Sequence, residues 1–451
     1  MFGLALRTLR YRTGGFAASF VALFFGAFIL MTFASMLDTR FGPGVEGDSA
    51  FILVLVAGVV GGWGLVIVAF AVGSTLTLLV RQRNKEMALL RGIGATPAQT
   101  AVMVVGEAAV VAVVAGALAI VPALFSSERL LDLLIDTGQV APGVQHRFGA
   151  MALGVGLGIT FTAAVLAAIV AARRTAGLTA SQAMMTVIDN PRMSKKRVAL
   201  GLAILLAGIN CGVLTVTVFK DWGLEVMAVA GQGAILSSIG LAVLSPALVR
   251  AAVAVVGGPL KSLTGVGGYL TVLHVRQRTR QFADGLIAVI LFTGFATGIL
   301  YLQAIENSAV KAAGTLKSLE HKSVETLNFV VVGMIALFAA VMLVNTVVAA
   351  IIHRRAEFGQ QRLAGSTPPQ VLGMVSVEGV LLSLVGILFG SLAAVASIVP
   401  YSIVRTGSAM PHEGILIYVS IVSIAAFLTL AASLGAARRA IRTPAIQAVT
   451  T

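Results

Sequence analysis

Charge is the scarcest commodity in this sequence: 11% of its 451 residues are Asp, Glu, Lys or Arg. A soluble surface needs roughly a quarter to a third of its positions charged, so the chain cannot cover itself in water. Cysteine is nearly absent. The lone Cys211 lies in an apolar run, which excludes an intrachain disulfide and a cysteine metal cluster. The five histidines (146, 274, 321, 353 and 412) are scattered over loops and span edges and point to no metal site. Neither G-x-x-x-x-G-K-[ST] nor H-E-x-x-H occurs, so the chain has no phosphate-cradling loop for ATP and no zinc-protease helix. Acids are outnumbered, 18 against 32 Lys and Arg, for a net charge of +14.

What the chain does have is apolar length. Hydrophobic residues make up 58%, before 49 glycines are counted, and only a lipid bilayer solvates that much apolar surface. A crossing helix needs about 20 apolar residues. Ten stretches qualify: 15–37, 51–80, 101–125, 148–172, 198–219, 226–250, 285–305, 328–352, 372–400 and 415–437. Several are rich in β-branched residues, but in lipid the backbone must satisfy itself, so continuous runs of this length default to helix. A barrel would show alternating segments of about 10 residues instead. The first run is too long for a signal-peptide core and is expected to be a retained span.

The basic excess sorts by side. With the N-terminus in the cytoplasm, the inner segments hold 24 basic and four acidic residues, and the outer loops 8 basic and 12 acidic. By the positive-inside rule both termini are expected in the cytoplasm. The excess therefore describes orientation. No basic domain exists away from the membrane, so no nucleic-acid partner is expected.

The sequence also repeats itself. Residues 81–107 read RQRNKEMALLRGIGATPAQTAVMVVGE and residues 352–378 read IHRRAEFGQQRLAGSTPPQVLGMVSVE. At a constant offset of 271, identical pairs include Arg83/Arg354, Glu86/Glu357, Arg91/Arg362, Gly94/Gly365, Thr96/Thr367, Pro97/Pro368, Gln99/Gln370, Met103/Met374 and Glu107/Glu378. Nine mostly polar identities without a gap are not hydrophobic drift. A second match aligns LRYRTGGFA (9–17) with VRQRTRQFA (275–283), pairing Arg10/Arg276, Arg12/Arg278, Thr13/Thr279 and Phe16/Phe282. Each copy is a basic stretch followed by four spans, with a cytoplasmic loop between its second and third. An even number of spans before the second copy makes the repeats parallel. The expected fold is an all-α polytopic membrane protein of ten transmembrane helices. Its units are 1–175, a linker with two connecting spans at 176–258, and 259–451.

Each inner loop carries a short amphipathic helix, a glycine, and Thr-Pro, which suits an N-cap with Pro at the first helical position. Such a helix belongs at the membrane surface. Retained twice, it is expected to dock a cytoplasmic partner. Glu107 and Glu378 sit about two turns into their spans, where a charge costs about 2.5–3.5 kcal/mol on insertion scales. Each is expected either to pair with a basic residue of its own half, coupling loop motion to the span, or to snorkel to the interface or be protonated. Small residues at Gly58/Gly62, Gly154/Gly156/Gly158 and Gly386/Gly390 are expected at close helix contacts. The Gly-Val-Gly-Gly at 265–268 reads as a flexible joint, and Glu128–Asp136 as an amphipathic segment lying on the outer leaflet.

The pattern E-x-x-x-L-R-x-I-G-A-T-x-x-Q followed by an intramembrane Glu resembles the FtsX-like (MacB-type) permeases of ABC transporters. It is carried by Glu86, Leu90, Arg91, Ile93, Gly94, Ala95, Thr96, Gln99 and Glu107. The second copy departs from it, with Gln361, Ala364 and Ser366 in place of the Leu, Ile and Ala. The resemblance implies a separate ATPase, holding ATP and Mg, docked on both loops; two copies per chain are expected, with the first loop the more sensitive. It implies no catalysis and no cofactor bound by the chain itself, and residence in a bacterial cytoplasmic membrane. The outer loops at 38–50 and 306–327 are too short to fold as domains, which favours a substrate taken directly from the membrane: an amphiphilic peptide, antibiotic or lipid. An ion-coupled transporter, with only Asn210, Gln232 and Asn345 as mid-membrane polar candidates, and a non-transporting scaffold for an outer partner are the alternatives.

Overall fold

A computed structural model describes residues 13–62, 65, 68, 72–73, 87, 89–90, 92–176, 193–222, 226–312, 319–352, 354–411 and 414–450. Among them every regular element is a helix, and eight helices are long and apolar enough to cross a membrane. Of the expected span 51–80, residues 51–62, 65, 68 and 72–73 are described, and the rest lies outside the described residues. The expected span 328–352 lies within one longer helix, Leu319–Ile352. The expected span 226–250 is broken at Leu244, because Pro246 cannot continue the preceding hydrogen-bond ladder and instead opens the next helix.

The chain forms two compact units. The first comprises 1–187 and 317–334 and holds α1 (Thr13–Arg40), the short α2 (Gly47–Leu55), α3 (Pro97–Asp136) and α4 (Ala150–Ala176). Here α1 packs on both α3 and α4, and these two pack on each other. Ala27, Met31, Ala119 and Ala123 form the buried seam, closed by Phe24, Phe28 and Phe148. Small residues on α3 let α1 approach closely, since within lipid it is packing that holds helices together. Asp38 ties the end of α1 to the start of α4: its carboxylate accepts from the Gly149, Met151 and Ala152 amides at 2.9, 3.0 and 2.7 Å. Those amides open α4 and have no partner within the helix.

The 40-residue α3 is about 60 Å long, twice the hydrocarbon core. Its last turns are Glu128–Asp136, expected above to lie flat on the outer leaflet. They instead continue the helix, with Leu130, Leu131 and Leu134 buried. The apolar stripe is satisfied by protein, not by lipid.

The second unit comprises 188–316 and 335–451. It contains α5 (Lys195–Thr217), α6 (Val226–Val243), α7 (Ser245–Gln277), α8 (Thr279–Ala312), the later part of α9 (Leu319–Ile352), α10 (Arg355–Leu363), α11 (Pro368–Thr406), α12 (Ile415–Ile441) and α13 (Ala445–Thr450). Its centre is the pair α8 and α11, with α12 against both, α5 packed on α11, and α6 packed on both α8 and α11. The contact pattern among α8, α11 and α12 is the one made by α1, α3 and α4, so the sequence repeat is also a packing repeat. The close approach depends on Gly386 and Gly390: an added Cβ would lie 2.5 Å from Val289 and 3.0 Å from the backbone of Ile290 and Gly294. Of the other glycines expected at contacts, Gly156 meets Met31, whereas Gly58, Gly62, Gly154 and Gly158 face open space. The joint expected at 265–268 is a kink, where Gly265 leaves the helical region at φ 57° and ψ −129°.

Candidate functional site

The repeated loop motif builds the same turn twice. In the second copy α10 ends on Gly365, whose φ of 102° is open to glycine at no steric cost. The Gly365 amide donates to Arg362 O at 3.1 Å and the Ser366 amide to Gln361 O at 2.9 Å, which closes the last carbonyls of the helix. Thr367 then caps α11, Pro368 occupies its first position, and Gln370 Oε1 accepts from the Thr367 amide at 2.8 Å. In the first copy Gly94 has φ 101°, and the Ala95 amide reaches Leu90 O at 2.9 Å. Thr96 and Gln99 exchange bonds of 3.0 and 3.2 Å at the start of α3. Gly, Thr, Pro and Gln thus recur because the turn needs them. Thr96, Gln99, Gly365, Thr367, Pro368 and Gln370 are exposed, and Leu90 is half-buried. Arg83, Glu86 and Arg91 lie outside the described residues, and Pro97 is described only as the first residue of α3.

Beside these polar groups the turns also expose apolar side chains. Leu89 and Ile93 are 60% and 84% exposed in the first copy, and Leu363 is 58% exposed in the second.

Arg354 and Glu357 point the other way. Arg354, in the turn before α10, is 7% exposed and reaches Glu378 on α11 with both terminal nitrogens; the Nη2–Oε1 bond is 3.2 Å. Its Nε donates to Glu357 Oε2 at 3.2 Å, and its guanidinium lies 5.2 Å from the centre of the Phe358 ring. His274, near the end of α7, sits between the two carboxylates, 3.4 Å from Glu357 and 3.5 Å from Glu378. Arg278 closes the cluster with a 3.0 Å contact to Glu357. Burial disfavours the Arg354 cation, but Glu378 and then Glu357 more than offset it, so its pKa stands above the ordinary arginine value. The network joins α7, α10 and α11 at the edge of a cleft.

The Glu378 equivalent in the first unit, Glu107, is 2% exposed on α3. Arg362 is half-buried and holds the chain end. It donates to the Ile441 and Thr443 carbonyls at 2.8 and 2.9 Å, and Arg355 bonds the Thr443 hydroxyl.

Two groups in the second unit escaped sequence reasoning. His274 lies 80 residues from Arg354 with no counterpart in the repeat, whereas Arg278 was visible only as the match of Arg12. At the far end of α11, Glu306 on α8 is buried at 2% exposure, accepting from Tyr401 Oη at 2.6 Å and Arg405 Nε at 2.7 Å. An outer-loop charge in the sequence is thus a buried lock between α8 and α11.

Two stretches of the chain, residues 58–180 and 329–444, match the family described as FtsX-like permease C-terminal, and together they cover more than half of it. No curated protein matches the chain significantly. Members of this family are typically non-catalytic transmembrane subunits of ABC transporters and work with separate ATPases. With its family domain present twice and its eight long apolar helices, the chain is a multi-pass membrane protein that belongs to the FtsX-like permease family.

Proposed function

We propose that the chain is the permease of an ABC transporter in which a separate ATPase, loaded with ATP and Mg, drives the export or membrane extraction of an amphiphile. Ten spans cross a bacterial cytoplasmic membrane with both termini inside, the two four-span repeats running parallel. One ATPase docks on each inner loop, giving two per chain. The docking contacts are the exposed Leu89, Ile93 and Leu363 on turns shaped by Gly94, Thr96, Pro97 and Gln99 and by Gly365, Thr367, Pro368 and Gln370.

The observation that carries this reading is the Arg354–Glu378 pair. It makes α10, which would move with the ATPase, continuous with α11, which crosses the membrane. A buried pair of this kind resists separation, since exposing either charge to lipid alone is costly. Motion of the loop is then motion of the span. The first unit would work alike through Glu107, with Arg83, Glu86 and Arg91 at the corresponding positions.

The test is co-purification of the detergent-solubilised chain with the candidate ATPase, followed by an ATP-turnover assay. A stable complex is expected, weakened by Ile93→Asp more than by Leu363→Asp because the first loop exposes the larger apolar surface. If no ATPase associates, and charge reversal at Glu86 and Glu357 alters nothing, the permease reading fails.

A further inference from the structure

The cleft beside the Arg354 network has walls and a mouth of different chemistry. Val275, Phe282, Val347, Ile351, Val375 and Leu382 give it an apolar interior, contributed by α7, α8, α9 and α11. At its mouth stand Arg278 and Gln281, one turn apart where α7 passes into α8. Arg278 makes a single contact, to Glu357, and its side chain is 40% exposed. Its other N–H groups, and the Gln281 carboxamide, have no partner among the described residues. The two carboxylates nearby are engaged: Glu378 by Arg354 and His274, Glu357 by Arg354, His274 and Arg278.

An apolar cleft left empty forfeits the dispersion contacts of every atom that lines it. Glu378 lies ten residues into α11, about 15 Å along its axis. At that depth the filler at hand is lipid hydrocarbon. The unpaired donors at the mouth ask for an acceptor, and a guanidinium with free N–H groups binds a phosphate oxygen better than a neutral acceptor.

We propose that this cleft binds one anionic phospholipid from the leaflet on the loop side. Its acyl chain lies between α8, α9 and α11, and its phosphodiester sits on Arg278 and Gln281. Because Arg278 also touches Glu357, the lipid completes the polar cluster that joins α10 to α11. The site requires only that the chain be a membrane protein. Its failure would leave the ATPase-driven reading intact, and the failure of that reading would leave the site.

Native mass spectrometry of the detergent-solubilised full chain tests it, with phosphatidylglycerol, phosphatidylcholine of the same dioleoyl chains, dihexanoyl phosphatidylglycerol and inorganic phosphate as separate additions. One dioleoyl phosphatidylglycerol is expected to be retained about tenfold more tightly than the choline lipid, whose phosphodiester is the same but whose quaternary ammonium offsets the attraction to Arg278. The short-chain lipid should bind more weakly and phosphate should not displace the long-chain one. Replacing both donors (Arg278→Ala with Gln281→Ala) should bring phosphatidylglycerol down to the choline level, in protein whose melting confirms that it is folded. Equal retention of the two headgroups, or donor replacements without effect, would overturn the proposal. Displacement by phosphate alone would also overturn it, by showing an anion site without a lipid tail.

Discussion

Arg354 and Glu378, 24 residues apart in sequence, meet through both terminal guanidinium nitrogens, in a setting where each side chain is about nine-tenths buried. Removing one partner strands the other. Glu378→Leu is expected to lower stability by about 3–5 kcal/mol, the usual cost of leaving a buried charge unmatched. Replacing both, with Arg354→Met and Glu378→Leu, should cost markedly less than the sum. A double-mutant cycle on thermal melting of the detergent-solubilised protein reads this directly, and additive losses would show that the pair does not act as a unit.

The repeated turns predict a backbone effect. Gly94→Ala and Gly365→Ala place a Cβ in the left-handed region, at about 1–2 kcal/mol each. Thr96→Ala removes a cap worth about 1 kcal/mol. Hydrogen exchange should then quicken at the first amides of α3 for Thr96→Ala while the buried middle of the helix stays protected.

Arg362 holds the chain end through the Ile441 and Thr443 carbonyls. Arg362→Ala should free that segment, so that trypsin cleaves after Arg442 several-fold faster while the melting temperature changes little. Unchanged cleavage would mean that the segment is held by the packing of α13 on α10 and by the Arg355–Thr443 bond, without Arg362.

His146, in the connection between α3 and α4, predicts a pH dependence. Burial lowers its pKa below 6.5, and Glu128, Asp132 and Asp38 only partly counteract this. The folded state therefore favours the neutral ring. The stability this contributes is fully present above pH 6.5 and is lost as pH falls through the lowered pKa. Melting temperature should drop on acidification from pH 7.5 to 5, and His146→Gln should flatten that slope.

The internal repeat made much of this legible. The offset of 271 singled out Arg354, Glu357 and Glu378 before any coordinates. It could not show that Arg354 and Glu357 face inward, because a nine-residue helix with charges on several sides does not announce which side is covered. Nor could it find His274, which is brought in by the packing of α7 and has no counterpart in the first copy. Glu128–Asp136 misled for a related reason. Its stripe of Leu130, Leu131 and Leu134 suits a lipid surface or a protein neighbour equally, and only the fold supplies the neighbour. Glu306 carried no signal at all, since the Tyr401 and Arg405 that bury it lie about 100 residues away.

The most direct test is ATP turnover by the permease–ATPase complex with and without an amphiphilic substrate, comparing the wild-type chain with the Arg354→Met, Glu378→Leu double variant. The variant is expected to fold and to retain the ATPase on its exposed Leu89, Ile93 and Leu363, while turnover no longer responds to substrate. A variant complex that responds as strongly as the wild type would contradict the claim that this pair carries motion from loop to span.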